Sequence, residues 1–331
     1  MKKYDIGIDL GGTNIAAGIV DEACRILCKR SVPTDLPKSS EEIVEKIYKL
    51  TSNLLSENAI ALEECESIGI GIPGTVDSEN GIVEYANNLG FTNVPFVSML
   101  AEKFERKVYA ENDAIAATIG EYVSGAGIGT KSMVMMTLGT GVGGGIIIDG
   151  RCWHGINNAA GELGHMVIHA GGRQCTCGRK GCLEAYASAP ALIEQTEEIV
   201  KESIKNTKNK VNGCDSAVKL YDCIAHGMRS DGKMIIDAVR SGDEAAKQSY
   251  DRYLSALSEG VANIINVFQP ECLVIGGGLS GIGETMLLDP IIARVEPMIY
   301  SRYSKRKTVI KLAKLGNDAG IIGAAKIRKM N

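Results

Sequence analysis

The chain is short of several things, and each shortage removes a class of function. One Trp and four Phe occur among 331 residues, and aromatics reach only 5%, so stacking platforms for single-stranded nucleic acid are scarce. There is no basic excess: 36 Lys and Arg stand against 40 Asp and Glu, a formal charge of -4. Nucleic-acid readers usually display a basic face, so no nucleic-acid partner is expected. No apolar run approaches the ~18 residues that a membrane span needs, and no membrane partner is expected either. Asp5 and Asp9 break the opening stretch MKKYDIGID before it could act as the apolar core of a signal peptide. The expected location is the cytoplasm. What is abundant is glycine, 39 residues in a chain that is 45% hydrophobic, a globular and turn-rich composition of roughly two-domain length.

Short apolar runs alternate with helical patterns, which argues for an α/β chain. Strands are expected at Tyr4–Asp9, Ile15–Val20, Ser67–Ile72, Lys107–Ala110, Ser132–Leu138, Gly145–Asp149, Glu271–Ile275 and Thr308–Leu312. Ser39–Glu57 reads as a helix with Ile43, Ile47, Leu50 and Leu54 on one face, and Ser39 with Glu42 has the spacing of a capping box. A second long helix carries Tyr250, Leu254, Leu257, Val261, Ile264 and Phe268. Both stripes are core faces. LGGTNIAAGIVD, from Leu10, aligns without a gap on LGTGVGGGIIID, from Leu138, 128 residues later. IGIGIPG (68–74) is echoed loosely by CLVIGGG (272–278). Order and spacing both repeat, so the chain reads as a duplication with two glycine hairpins facing one cleft.

Glycine turns after strands suit phosphate, because bare N–H groups can approach the anion. Gly139, Gly141 and Gly144 match the dinucleotide spacing, but a strand, not a helix, follows. Gly129-Thr130-Lys131-Ser132 is the nearest approach to a P-loop, and it too enters a strand. What remains is the pair of strand–hairpin–strand loops. Asp9 beside Gly11, Gly12 and Thr13 offers an acid for Mg²⁺ through water, with N–H and O–H groups for phosphate. An acid accepting N–H bonds in a tight turn would leave the same pattern.

Cysteine supplies the sharpest local signal. Of ten, seven are scattered (Cys24, Cys28, Cys65, Cys152, Cys214, Cys223, Cys272), as reduced buried thiols would be. Cys175, Cys177 and Cys182 crowd together, ten residues after His165. Three thiolates and an imidazole make a closed tetrahedral set for zinc, and Gly178 and Gly181 permit the turns that let them converge. His154, His169 and His226 have no comparable partners and read as surface or packing histidines.

DIGIDLGGTNI, LGTGVGGG and VIGGG resemble the phosphate loops and the adenosine-side loop of the sugar kinase–actin–Hsp70 superfamily. GELGHMVIHAGGRQCTCGRKGCLEAYAS narrows the resemblance to the ROK family, over Tyr4 to about Lys326. IGIPGTVD, ANNLGFTNVPF and ENDAIAATIGE are most similar to its bacterial glucokinases. The resemblance implies an actin-like, ribonuclease H-like ATPase fold: two duplicated α/β domains around a central cleft. The smaller is expected at 1–122 plus 316–331, and the larger at 123–315 with the zinc loop 165–184.

The resemblance also implies ATP and Mg²⁺, with phosphoryl transfer to the 6-hydroxyl of glucose. Asp113 in Glu111-Asn112-Asp113 occupies the family's catalytic position, although position alone would equally suit a helix cap. Asn112, Glu162, His165 and Glu184 are implied sugar contacts, with Gly74, Asn87 and Asn88 on the opposite wall. On residue type alone, Glu162 and Glu184 would more often be solvated acids. Asp9, Gly11, Gly12, Thr13, Asn14, Gly139, Thr140, Gly141, Gly276 and Gly277 are the nucleotide-side residues. The same resemblance implies structural zinc on His165, Cys175, Cys177 and Cys182, and a homodimer or homotetramer. Alternatives are a kinase for N-acetylmannosamine, N-acetylglucosamine, allose, mannose or fructose, or a sugar-sensing repressor. A repressor needs a helix-turn-helix domain ahead of Tyr4, and the basic run Ser301–Lys307 reads as a solvated helix end. Phe91 stands where a Trp is usual, and 206–230 is longer and more polar than the family pattern.

Overall fold

The computed structural model describes residues 3–206, 215–228 and 230–330; Cys214 and part of the polar 206–230 region lie outside them. The first sheet has the order β3-β2-β1-β4-β8: β1 (Tyr4–Leu10), β2 (Asn14–Asp21), β3 (Ile26–Pro33), β4 (Cys65–Ile72) and β8 (Val108–Asn112). A small sheet joins β5 (Thr75–Asp77), β6 (Ile82–Ala86) and β7 (Phe91–Val94). The other large sheet has the order β11-β10-β9-β12-β13: β9 (Met133–Leu138), β10 (Val142–Ile148), β11 (Arg151–Cys152), β12 (Cys272–Gly276) and β13 (Val309–Leu312). In each large sheet the first strand pairs antiparallel with the second and parallel with the fourth. The expected duplication is therefore a repeat of topology.

The repeat is not exact in register. Leu10 pairs with Ile15, whereas Leu138 pairs with Val142, so the second hairpin turn is one residue shorter than the gapless alignment implies. Sequence reading also passed over β3, β5, β6, β7 and β11. The edge strand β3, ILCKRSVP, is mostly exposed, so it carries little of the hydrophobic signal that marks a strand.

The helices are α1 (Ser40–Glu57), α2 (Phe96–Phe104), α3 (Asp113–Ser124), α4 (Glu184–Ala187) and α5 (Ala189–Asn206), followed by α6 (Asp215–Ala225), α7 (Gly232–Arg240), α8 (Glu244–Phe268), α9 (Asp289–Val295) and α10 (Asp318–Met330). Ser39 caps α1 with the full box: its hydroxyl accepts from Glu42 N, and Glu42 accepts from Ser39 N. Ile43, Ile47, Leu50 and Leu54 are buried as their spacing predicts. The stripe of α8 is likewise buried except at Phe268, near its exposed end. The run Ser301–Lys307 is not a helix end: it forms turns ahead of β13. Of the scattered thiols, Cys65, Cys223 and Cys272 are buried, while Cys24, Cys28 and Cys152 are only half-buried. No helix among the described residues is long and apolar enough to cross a membrane.

Helices α3 and α10 lie between the two large sheets, and the approach is unusually close. A Cβ on Gly7 would sit 1.9 Å from Ile321 O, and one on Gly69 would sit 1.9 Å from Ala324 O. Between the helices, a Cβ on Gly323 would sit 1.6 Å from Ala116 O and one on Gly120 2.2 Å from Ala319 O. On the other side Ile115, Ile119, Ala324 and Ile327 share a core with Met133, Met135 and Val274 of the second sheet. A buried ion pair fixes α10 along its axis: Lys326 Nζ donates to Asp5 Oδ2 at 2.6 Å and to Asp21 O at 2.9 Å. Ser67 Oγ donates to the other Asp5 oxygen at 2.7 Å, so the charge is compensated on both sides.

Gly323→Ala sets two effects against each other. Helix propensity favours Ala by about 1 kcal/mol, but a methyl overlapping backbone cannot be relieved by a rotamer change. We expect the clash to win, with a net loss of about 2–3 kcal/mol in urea unfolding. A midpoint equal to the parent's would show that α10 can move off α3 at no cost.

Candidate active site

Both central helices begin at one cavity of about 860 Å³ that lies between the large sheets. It is lined by Asp9 from β1, by Gly74 and Asn88, by Asn112 and Asp113, and by Gly139, Thr140 and Gly141. Asn87, Glu162, His165, Cys177, Glu184 and Gly277 complete the predicted residues found there. Gly11, Gly12, Thr13 and Asn14 are not among the lining residues; they form the turn after β1 and the first residue of β2, and Gly11 N donates to Asn14 O at 2.9 Å. Gly276 also falls outside the lining. Sequence reading missed Gly316, Asn317, Ala319 and Gly320, which line the wall next to Asp9. A Cβ on Gly320 would sit 2.8 Å from Asp9 Oδ2. The run of small residues between a strand and a helix was the available signal.

Asp113 is the first residue of α3, but it is not the cap. That part is played by Asn112, whose Oδ1 accepts from Ala114 N at 2.8 Å and Ile115 N at 3.2 Å. Asn112 Nδ2 donates to Gly74 O at 2.9 Å, which leaves one amide hydrogen for another acceptor. Gly74 itself has φ +108, and a Cβ there would sit 2.1 Å from Tyr85 O; only glycine fits this turn. With the cap supplied by its neighbour, Asp113 Oδ1 accepts from Ala114 N at 2.8 Å. Burial pushes its pKa up. Burial, then the nearby Asp113 charge, pushes Asp9 up to about 6. Two acids that resist ionising beside each other form a site ready for a cation or a proton.

The opposite wall is built by the cysteine segment. His165 Nδ1 lies 3.6 Å from Cys175 Sγ, and Cys177 Sγ lies 3.7 Å from Cys182 Sγ. All four ligand atoms fall within 4.8 Å of one another. Zinc bonds of ~2.3 Å to sulfur and ~2.0 Å to nitrogen at tetrahedral angles space ligands about 3.5–3.8 Å apart, so these residues fit the metal. Burial pushes the Cys182 thiol up to about 12, while the Arg179 backbone N–H draws Cys177 down. The other nitrogen of His165, Nε2, faces Glu162 Oε2 at 3.9 Å. The two ring nitrogens of His165 thus have different neighbours.

Glu184 joins this segment to the second hairpin. Its Oε1 accepts from Thr176 Oγ1 at 3.0 Å and its Oε2 from Val142 N at 3.0 Å. Gly141 leaves the necessary room, since a Cβ there would sit 2.6 Å from Glu184 Oε2. Glu184 is therefore not a solvated acid, whereas Glu162 is exposed. His154 departs from expectation as well: Nε2 lies 2.8 Å from the buried Glu111 Oε1. His169 packs edge-on to Tyr186, and His226 bonds Asp222 O.

These features have counterparts in known proteins. The chain is 38% identical to a glucokinase of Thermotoga maritima over 325 residues, 98% of this chain and 96% of that one. It is 36% identical to a glucokinase of Halalkalibacterium halodurans over 97% of this chain and 93% of that one. The solved structure of a ROK family glucokinase from Streptomyces griseus, in complex with glucose and AMPPNP, superposes with a TM-score of 0.78 at 34% identity, covering 98% and 99% of the two chains. The large sheets and the shared cleft are thus those of the actin-like sugar kinases. The model of the ROK family matches residues 5–331, and the chain belongs to that family.

Proposed function

We propose that this protein is an ATP-dependent glucose kinase, transferring the γ-phosphoryl group of ATP to the 6-hydroxyl of glucose to give glucose 6-phosphate and ADP. The observation that carries the reading is Asp113, set at the start of α3 inside a cavity that it shares with a glycine hairpin and with Asp9. Phosphoryl transfer asks mainly for positioning, charge neutralisation and a proton acceptor. Asp113 takes the proton of the sugar hydroxymethyl as its oxygen attacks phosphorus. Its raised pKa makes it a stronger base than an ordinary carboxylate. Asn112 gives its remaining amide hydrogen to a neighbouring hydroxyl. Glu162, His165 Nε2 and Glu184 hold the hydroxyls nearer the anomeric carbon.

Gly139, Thr140, Gly141 and Gly277 line the nucleotide side of the cavity, and the Gly139 N–H closes the hairpin turn by donating to Gly141 O at 3.0 Å. Mg²⁺, held from the Asp9 side through water, would supply charge neutralisation at the transferring phosphoryl group. Zinc on His165, Cys175, Cys177 and Cys182 would be structural, because four protein ligands leave no place for a reactive water. In this reading 1–122 with 316–331 and 123–315 are two domains that close on the sugar. Closure excludes water as a competing acceptor and brings the first hairpin, Gly11–Asn14, onto the phosphates. A cytoplasmic homodimer or homotetramer without a nucleic-acid partner belongs to the same reading.

The decisive test is ADP release across a panel of glucose, mannose, fructose, allose and the N-acetylated hexosamines. Turnover confined to glucose supports the proposal, and preference for another sugar replaces the substrate while keeping the chemistry. Asp113→Asn should keep sugar binding and lose at least ~10²-fold in kcat; full activity removes Asp113 from the mechanism. In kcat/KM for Mg-ATP, which reports the free enzyme, activity should fall as pH drops through about 6, where Asp9 gains its proton. Above that value the carboxylate is ionised and the profile levels; an acid side without a fall overturns the role of Asp9. Cys177→Ser should lose its zinc by elemental analysis and raise the sugar KM by about 10-fold. Unchanged metal content sinks the site.

A further inference from the structure

His154 and Glu111 form a contact that the proposed mechanism does not use. Glu111 is the residue before Asn112 and Asp113 on β8, and it is 1% exposed. Its Oε1 receives Ser78 Oγ at 3.1 Å and meets His154 Nε2 at 2.8 Å. His154 comes from the other large sheet, two residues after β11. This contact therefore crosses between the halves of the molecule, directly behind the cavity-lining end of β8.

On its own side, His154 begins an irregular loop. The loop is fastened at its start, where Trp153 N donates to Ile146 O at 2.8 Å, and it closes on itself where Ala160 N donates to His154 O at 3.0 Å. Left-handed residues at Gly155, Asn158 and Gly161 shape it, with φ of 71, 55 and 94. Asn158, Ala159, Ala160, Gly161 and Glu162 all line the cavity. With no regular ladder of its own, the loop depends on such anchors for its position.

We infer that His154 is a positioning residue for sugar binding, tying the loop that ends at Glu162 to the strand that ends at Asn112, next to Asp113. The inference rests on the sugar-kinase reading. One small ligand must be held from both sides at once, by Asn112 and Asp113 across from Glu162 and His165, so the spacing of the two walls sets affinity. Misplacement by about 1 Å is enough to cost such a site heavily. The buried carboxylate also raises the pKa of His154, which favours the charged, donating imidazole.

The test compares the full-length parent with His154→Ala and His154→Gln, varying sugar and Mg-ATP separately and recording Tm. Loss of the tie in His154→Ala should raise the sugar KM about 10-fold while the ATP KM and kcat stay within about 2-fold. Gln keeps an N–H donor, so His154→Gln should recover most of the sugar KM. An unchanged sugar KM in the Ala variant overturns the inference. So does a fall in kcat with both KM values raised together and a lowered Tm, the mark of a general structural role. Should His154→Ala not accumulate as folded protein because Glu111 is left buried, Glu111→Gln/His154→Ala removes that charge. Its sugar KM must still be raised, and a parental value overturns the inference. A parent without sugar-dependent turnover brings down the kinase reading and this inference together, whereas an active parent with an indifferent Ala variant brings down the role of His154 alone.

Discussion

The contact of α10 with α3 and with the first sheet governs the rest of the molecule. At Gly7, Gly69, Gly120 and Gly323 the neighbouring backbone occupies the space where a Cβ would stand. Interiors are packed to crystal-like density, so such approaches admit no larger residue. With the glycines in place, two helices fit between two sheets, and both begin at the same cavity. Asp113 stands at the start of one, and Gly316–Gly320 lead into the other. The Lys326–Asp5 pair, buried and shared with Ser67 and the Asp21 carbonyl, holds α10 in register on the sheet. Glu121 of α3 then holds the loop that leads into α10: one oxygen accepts from Lys314 N and Leu315 N, the other from Ala126 N. The lining of the cavity beside Asp9 is thus set by interactions well away from it.

Electrostatics follow the same division of labour. Asp5 and Glu121 are buried acids satisfied by a lysine and by backbone N–H groups, and Glu111 is held by Ser78 and His154. These are structural charges with partners. Asp9 and Asp113 are different, since each is pushed upward by burial and Asp9 also by its neighbour. Acids that resist ionising in the resting protein are where a cation, an anionic substrate or a transferred proton finds the largest change in free energy. The hydrogen-bonding pattern sharpens the contrast: Asn112 takes the capping work, and Asp113 keeps lone pairs for chemistry.

Much of this was legible in the chain itself, wherever the cause was local. The capping box of Ser39 and Glu42, the buried stripes of α1 and α8 and the hairpin strands depend on spacings of a few residues. The cysteine cluster is similar: Cys175, Cys177 and Cys182 lie within one short loop, and the fold had only to bring His165 alongside. The duplication could be read from a repeated strand–glycine–strand pattern, yet not the turn shorter by one residue, because both turn lengths suit glycine. The strands β3, β5, β6, β7 and β11 were missed because they are short or exposed, and much of what holds them is pairing with distant partners.

The sequence alone determined the α/β class, the repeated topology, the family and the chemical types gathered at the site, since these follow from composition, periodicity and motif. Tertiary structure decided which side chain does which job. It made Asn112 rather than Asp113 the cap, gave the two nitrogens of His165 different neighbours and bound Glu184 between Thr176 and Val142. It also joined His154 to Glu111 across 43 positions. The physical reason is that a hydrogen bond or a pKa depends on distance and burial in three dimensions, and no spacing along the chain encodes either once the partners come from different halves of the fold.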